Sequence, residues 1–424
     1  MRFISTRDPE HRVTLSAAIE RGIAPDGGLY VPESFPRLIE EDLEDPDTLH
    51  ELGVQLLAPF FAGDPLEGEL RAICREALDF PIPLRPLRGR TAVLELFHGP
   101  TAAFKDIGAR FLAACVARLN RQAERPLTVL VATSGDTGGA VAAAFHGRPG
   151  VEVVVLYPKG MVSPRQEKQL TCWGGNVTAL RVAGDFDDCQ RLVKEAFADV
   201  ELRERRRLTS ANSINVGRLL PQMIYHAAAS LRYRRRQGIE PGFIVPTGNL
   251  GNAVACLWAR AMGLPIREVV LAVNANRAIA ELLENGRWEP RATVATLASA
   301  MDVGNPSNME RVWHLFPGVQ EVRENLHAFA VVDEEIREQI RSGPHRWGEV
   351  WDPHTATAAA VRERLDTADW ILVATAHPAK FEQVVEPLIG REVPPPPDLA
   401  ALLERPSHAV DLVPTLDALR AALP

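Results

Sequence analysis

Between residues 127 and 274 short β-branched runs alternate with longer helical segments, and this alternation confines the chain to an α/β fold built on parallel strands. Candidate strands lie at 127–132, 151–157, 177–182, 243–246 and 269–273. The run Val151-Glu-Val-Val-Val-Leu-Tyr157 is apolar almost without a break, as a strand covered by helices on both faces must be. Helical marks fill the intervals. Ile107, Phe111, Cys115 and Leu119 recur every four residues and form one apolar stripe. Ser163-Pro164 offers an N-cap acceptor and a ring preset for a first turn, and Trp173-Gly174-Gly175 closes the same helix.

At 424 residues the chain exceeds one ordinary domain of roughly 100–200 residues. It opens on an apparent strand. An acidic stretch at 40–47 and a proline cluster at 81–86 follow, and the cluster reads as a domain junction. A four-proline run, 394–397, reads as a stiff connection toward a final helix near 416–423. The expected division is 1–85, 86–215 and 216–424.

Composition sets limits on function. With 46% hydrophobic and 24% charged residues the chain has material for a buried core, and its net charge of −8 argues against a general nucleic-acid binder. The arginine runs 203–207 and 232–236 read as solvated helix faces. Five cysteines without a Cys-x-x-Cys pair read as reduced core residues of a cytoplasmic protein, and the histidine spacing gives no support for a metal site. No apolar stretch approaches the roughly 18 residues of a membrane helix, and the N-terminus lacks the apolar core of a signal peptide.

Four segments place small or polar residues at strand ends, where open parallel sheets bind ligands. Val131-Ala-Thr-Ser-Gly-Asp-Thr-Gly-Gly139 offers backbone N–H groups and a helix N-terminus to an anion. Val245-Pro-Thr-Gly-Asn-Leu-Gly-Asn252 lacks the glycine spacing of dinucleotide sites and P-loops, so it suits a monophosphate better than a nucleotide. In Leu96-Phe-His-Gly-Pro-Thr-Ala-Ala-Phe-Lys-Asp106 a lysine behind Phe104 would be partly desolvated, which frees its amine for imine chemistry. Trp370-Ile-Leu-Val-Ala-Thr-Ala-His-Pro-Ala-Lys380 ends an apolar strand in a hydroxyl, Thr375. Taken singly, each segment is also compatible with a plain turn, a surface lysine or a capping hydroxyl.

Together, the Phe-His-Gly-Pro-Thr-Ala-Ala-Phe-Lys-Asp run, the Thr-Ser-Gly-Asp-Thr-Gly loop, Asn212-Ser-Ile-Asn215 and Gly248-Asn-Leu-Gly-Asn252 resemble the threonine synthases in order and spacing. So do Ala24-Pro-Asp-Gly-Gly-Leu-Tyr-Val-Pro32 and Ala374-Thr-Ala-His-Pro-Ala-Lys-Phe381, the latter similar to the bacterial branch. The resemblance implies two doubly wound parallel or mixed-sheet domains of the fold-type II pyridoxal phosphate class, with a small N-terminal α+β domain. It implies conversion of O-phospho-L-homoserine and water to L-threonine and phosphate by a monomer or homodimer. A phospho-lyase or a serine/threonine dehydratase on the same fold is the alternative.

Site residues follow from the same resemblance. Lys105 would carry the cofactor covalently and shuttle protons. Gly248, Asn249, Leu250, Gly251 and Asn252 would hold its phosphate, and Thr375 would hydrogen-bond its ring nitrogen. Ser134, Gly135, Thr137 and Gly138 resemble the loop that binds the substrate carboxylate. Asp136 stands where relatives with other activities carry Asn against the cofactor's phenolic oxygen, and an aspartate there repels a phenolate unless it is turned away or protonated. The resemblance places Asn215 and Arg218 in a family motif without assigning their role; because a guanidinium clamps phosphate and a helix N-terminus helps, they are the expected ligands of the substrate phosphate, with Lys159 and Ser163 in reserve. Ala102 and Leu250 depart from the family pattern, which has larger apolar residues there.

Overall fold

A computed structural model describes residues 1–39, 43 and 48–424; the acidic stretch 40–47, apart from Leu43, lies outside the described residues. Fourteen strands are described: β1 (Phe3–Ser5), β2 (Arg12–Val13), β3 (Tyr30–Pro32), β4 (Leu84–Pro86), β5 (Thr91–Glu95), β6 (Leu127–Ala132), β7 (Val151–Pro158), β8 (Val177–Val182), β9 (Arg207–Ser210), β10 (Gly242–Pro246), β11 (Val269–Val273), β12 (Leu326–Ala330), β13 (Trp370–Ala374) and β14 (Val410–Leu412). They form three sheets among the described residues, ordered β2-β1-β3, β12-β11-β10-β13-β5-β4 and β14-β8-β7-β6-β9.

The first sheet is antiparallel and packs with helices Leu15–Arg21, Leu49–Phe61 and Leu70–Ala77 into the N-terminal unit. The five-stranded sheet is parallel throughout. The six-stranded sheet is parallel except for β4, which runs against β5 at the edge. Every residue of β6, β10, β11 and β13 is buried, which accounts for their unbroken apolar sequences. All five expected strands form, and helix Lys105–Leu119 buries Ile107, Phe111 and Cys115 of the anticipated stripe. Helix Pro164–Thr171 carries the Ser163 cap, completed by Gln166 as a capping box. All five cysteines are buried free thiols.

The sheets do not respect the division at 85/86 and 215/216. β5 pairs with β13, Thr91 opposite Trp370, so the chain leading into Lys105 hangs on the six-stranded sheet and not on the five-stranded one. β14 returns to the five-stranded sheet and pairs with β8. Every residue of β5 and β13 is buried, while β14 contributes only Leu412 to the core, so each pairing brings together segments remote in sequence. Pro397 likewise belongs to a helix, Pro397–Leu403, whose first position tolerates the missing N–H.

Candidate active site

The carboxyl ends of β6, β10 and β13 open on one cleft of about 1730 Å³ between the two large sheets. Lys105 lines it as the first residue of its helix. The preceding turn is fixed to the end of β13, because Phe104 N–H donates to Thr375 O at 2.8 Å and Ala103 bridges Ala376. Only 13% of the Lys105 side chain is exposed, its Nζ lying 3.6 Å from Asp136 Oδ2 and 5.5 Å from the centre of the Phe104 ring. Burial lowers the pKa of this amine; Asp136 pulls it back up, and Lys380 and Arg218 push it down further.

Asp136 is buried at the start of helix Asp136–Phe145. Lys380 Nζ reaches its Oδ1 at 2.9 Å, and Gln166 Nε2 donates to the same oxygen at 3.0 Å. Burial alone would raise its pKa, yet Lys380, Lys105 and His354 hold this carboxyl well below the usual carboxylate range. The repulsion expected of an aspartate here is thereby met by Lys380, a cation to which the family motif assigns no role. Its signal was a lysine inside an apolar turn, Pro378-Ala379-Lys380-Phe381, and Lys380 is wholly buried.

In the loop after β6, Thr133 Oγ1 accepts from the N–H groups of Gly135, at 2.9 Å, and Gly138, at 2.8 Å. A Cβ at Gly138 would meet Thr133 Cγ2 at 2.5 Å and Leu170 Cδ2 at 2.7 Å. These two glycines shape the loop, their amides donating to Thr133, and the loop residues that line the cleft are Thr133, Ser134, Asp136 and Thr137.

The loop after β10 presses on the turn at 299–301, where a Cβ on Gly248 would come within 2.5 Å of Met301 Cα. Leu250 adopts a left-handed backbone, φ 61°, and Ala102 beside the lysine does the same at 55°. Both departures from the family pattern therefore sit at strained positions, which cost on the order of 1–3 kcal/mol each. Helix Gly251–Ala261 starts without any side chain capping its first turn. Its orphan N–H groups point along an N-terminal dipole. Asn249 donates to Ser213 Oγ at 2.9 Å and accepts from Ser307 N–H at 2.6 Å, fixing the loop. Asn252 turns inward, accepting from Tyr225 at 2.6 Å and meeting His226 Nε2 at 3.0 Å, while its buried Nδ2 has no partner. Burial lowers the pKa of His226 to about 4.

Thr375 lines the cleft from the end of β13. Its N–H donates to Thr355 Oγ1 at 3.1 Å, leaving its own hydroxyl unengaged. Behind it Asp352 receives His354 Nδ1 at 2.7 Å and the Thr355 hydroxyl, and His354 Nε2 accepts from Ala300 N–H at 3.1 Å. His354 lines the cleft, and no spacing in the sequence had marked it.

The phosphate-ligand expectations divide. Asn215 is wholly buried and outside the cleft lining: its Nδ2 donates to Ile19 O at 2.9 Å and Ser210 O at 3.0 Å, and its Oδ1 caps Gly217 N–H at 2.9 Å. Asn215 is a helix cap with no atom left for a ligand, and the expectation is corrected. Arg218 does line the cleft; its Nη1 donates to Ala211 O, its Nε has no partner, and burial lowers its pKa to about 10. Lys159 lies outside, 3.3 Å from Asp411, and Ser163 Oγ donates to Lys380 O at 2.9 Å.

Residues 81–374 match the family model described as pyridoxal-phosphate dependent enzyme, residues 2–78 match threonine synthase N terminus, and residues 355–423 match threonine synthase, C-terminal. The threonine synthase of Haemophilus influenzae is 42% identical over 405 residues, 94% of this chain and 94% of that relative. The chain belongs to the threonine synthase family. The crystal structure of the Escherichia coli threonine synthase matches it with a TM-score of 0.91 at 37% identity, covering 99% of each chain. The threonine synthase of Brucella melitensis, solved with PLP bound, matches with a TM-score of 0.93 at 34% identity, covering 100% of this chain and 98% of that one. As a member of the threonine synthase family, the protein is a pyridoxal phosphate-dependent lyase of the fold-type II α/β class. Among the described residues no helix is long and apolar enough to cross a membrane.

Proposed function

We propose that the protein converts O-phospho-L-homoserine and water to L-threonine and phosphate, with Lys105 as the amine that holds pyridoxal phosphate. The observation that carries this reading is the convergence on one cleft of a buried lysine with a depressed pKa, an uncapped helix start at Gly251 and the unengaged hydroxyl of Thr375. These groups fit the cofactor's aldehyde, phosphate and ring nitrogen respectively. When bound, the cofactor supplies an electron sink for charge that develops on substrate carbons.

The chain's own residues account for the rest. Gly248, Leu250 and Gly251 bring backbone close to a phosphate, with Asn249 and Asn252 keeping the loop in shape. Ser134 and Thr137 present hydroxyls for a carboxylate. The Arg218 guanidinium, charged and short of partners, is the group for the departing phosphate. The outer cleft adds Arg21, Lys194 and Arg203, a local positive field that draws in a phosphorylated amino acid although the chain as a whole is acidic. Lys105, once freed by substrate, is the base that takes the protons of Cα and Cβ and returns protons to Cγ and Cα; phosphate leaves from Cγ, water adds its hydroxyl at Cβ, and the remaining proton of water goes with the phosphate.

Borohydride reduction followed by peptide mapping tests the first half: a pyridoxyl label on Lys105 is expected, and a label elsewhere or none refutes it. Incubation with O-phospho-L-homoserine tests the second: equal yields of phosphate and threonine support the reaction, and phosphate with 2-oxobutyrate in place of threonine overturns it.

A further inference from the structure

Lys380 follows β13 on the six-stranded sheet and reaches across to Asp136 at the end of β6 on the other sheet. Its Nζ lies 2.9 Å from Asp136 Oδ1 and donates to Thr101 O at 2.8 Å, with none of its side chain exposed. The second oxygen of Asp136 lies 3.6 Å from Lys105 Nζ. One buried carboxylate is thus set between two lysines, and Gln166 Nε2 keeps it from turning.

The arrangement has a chemical consequence. A buried carboxylate facing Lys105 alone would favour a proton on that nitrogen, because an opposite charge within about 4–6 Å stabilises the charged form. A second cation on the same carboxylate weakens that hold and also repels the proton directly. A mechanical link between the sheets is also provided nearby by hydrogen bonds from side chains to the main chain of the same turn: Ser163 Oγ donates to Lys380 O at 2.9 Å, and Arg165 Nη1 to Ala379 O at 2.6 Å.

We propose that Lys380 is a positioning residue that, by sharing the Asp136 carboxylate, keeps the nitrogen of Lys105 able to release its proton. The inference rests on Lys105 being the cofactor-bearing amine. The other charged or titratable groups acting on this cluster are Arg218, Asp106, Arg110 and His354, all of which stay in place in the variants below.

The test is a pH titration of the visible absorbance of the purified, cofactor-loaded protein, which reads protonation at the Lys105 nitrogen without turnover. In Lys380→Met the midpoint moves up by about one pH unit, in Asp136→Asn it moves down, and in the double variant it lies closer to wild type than in either single variant. A folded, coloured Lys380→Met protein with an unmoved midpoint overturns the proposal. So does a double variant no closer to wild type than the singles. Should Lys380→Met not fold, Lys380→Arg retains the charge and must keep a midpoint near wild type while Asp136→Asn still lowers it; an unmoved Asp136→Asn midpoint is then decisive against. Failure of the underlying cofactor reading looks different: the wild-type protein shows no visible band and takes no borohydride label at Lys105.

Discussion

Gly248→Ala isolates the close approach between the loop after β10 and the turn at 299–301. The added Cβ would lie 2.5 Å from Met301 Cα, 2.6 Å from its carbonyl oxygen and 2.8 Å from its carbonyl carbon. Those atoms are backbone, so no rotamer change relieves the clash; one segment must move by most of an ångström. Overpacking of that kind costs about 1–3 kcal/mol. If the loop holds the cofactor phosphate, the strain is released by moving away from the bound geometry, and the cost appears in cofactor affinity as a loss of about 5- to 150-fold. Equilibrium dialysis of pyridoxal phosphate against wild type and variant reads this directly, and a thermal melt of each loaded protein reads the accompanying loss of stability. A variant that keeps the cofactor within twofold of wild-type affinity and melts at the same temperature would refute the argument that the loop has no room for a methyl group.

Two further outcomes separate scaffold from site. Asn215→Ala loses a helix cap and leaves Ile19 O and Ser210 O without their donor, costing about 2–4 kcal/mol in denaturant unfolding while KM stays near wild type; Arg218→Met raises KM for the phosphorylated substrate at least tenfold, and the reverse pattern would restore Asn215 as a ligand. His226 is neutral inside the fold, its pKa lowered to about 4 against an ordinary value of 6.5, so the unfolded chain gains the proton first on acidification. Its contribution is fully present above pH 6.5 and is lost as pH falls toward 4. Between pH 7 and pH 5 this removes about 2 kcal/mol from the unfolding free energy, a slope that should flatten in His226→Gln.

The strands β6, β7, β10 and β11 are legible because each is a nearly continuous buried apolar run bounded by turn residues, and β8 because its buried Val177 and Val182 are β-branched. β5 is just as buried, but at five residues beside a proline cluster it gives no periodic signal, and nothing local indicates that Thr91 will lie opposite Trp370. The site shows the same limit. Motifs brought Lys105, Asp136, Thr375 and the 247–252 loop together, and the cleft contains them all. Residue type could not say which way a polar group faces: Asn215 and Arg218 stand three residues apart, one turned to main chain and the other to the cleft. Lys380 is hidden for a different reason, since nothing in the residue type or its spacing indicates that this lysine is wholly buried.

The pairing of β5 with β13 has a consequence for how the molecule comes into being. During synthesis the segment that will carry Lys105 emerges early, yet the inner of its two sheet partners, β13, appears only after most of the chain has been made. Until then β5 has only the edge strand β4 beside it, and the cleft around Lys105 lacks the wall that β13 and Thr375 supply. Closing so distant a contact is slow compared with forming local helices. The cleft that holds Lys105 is therefore among the last parts of the protein to form, and a ribosome-bound fragment lacking β13 should bind no cofactor.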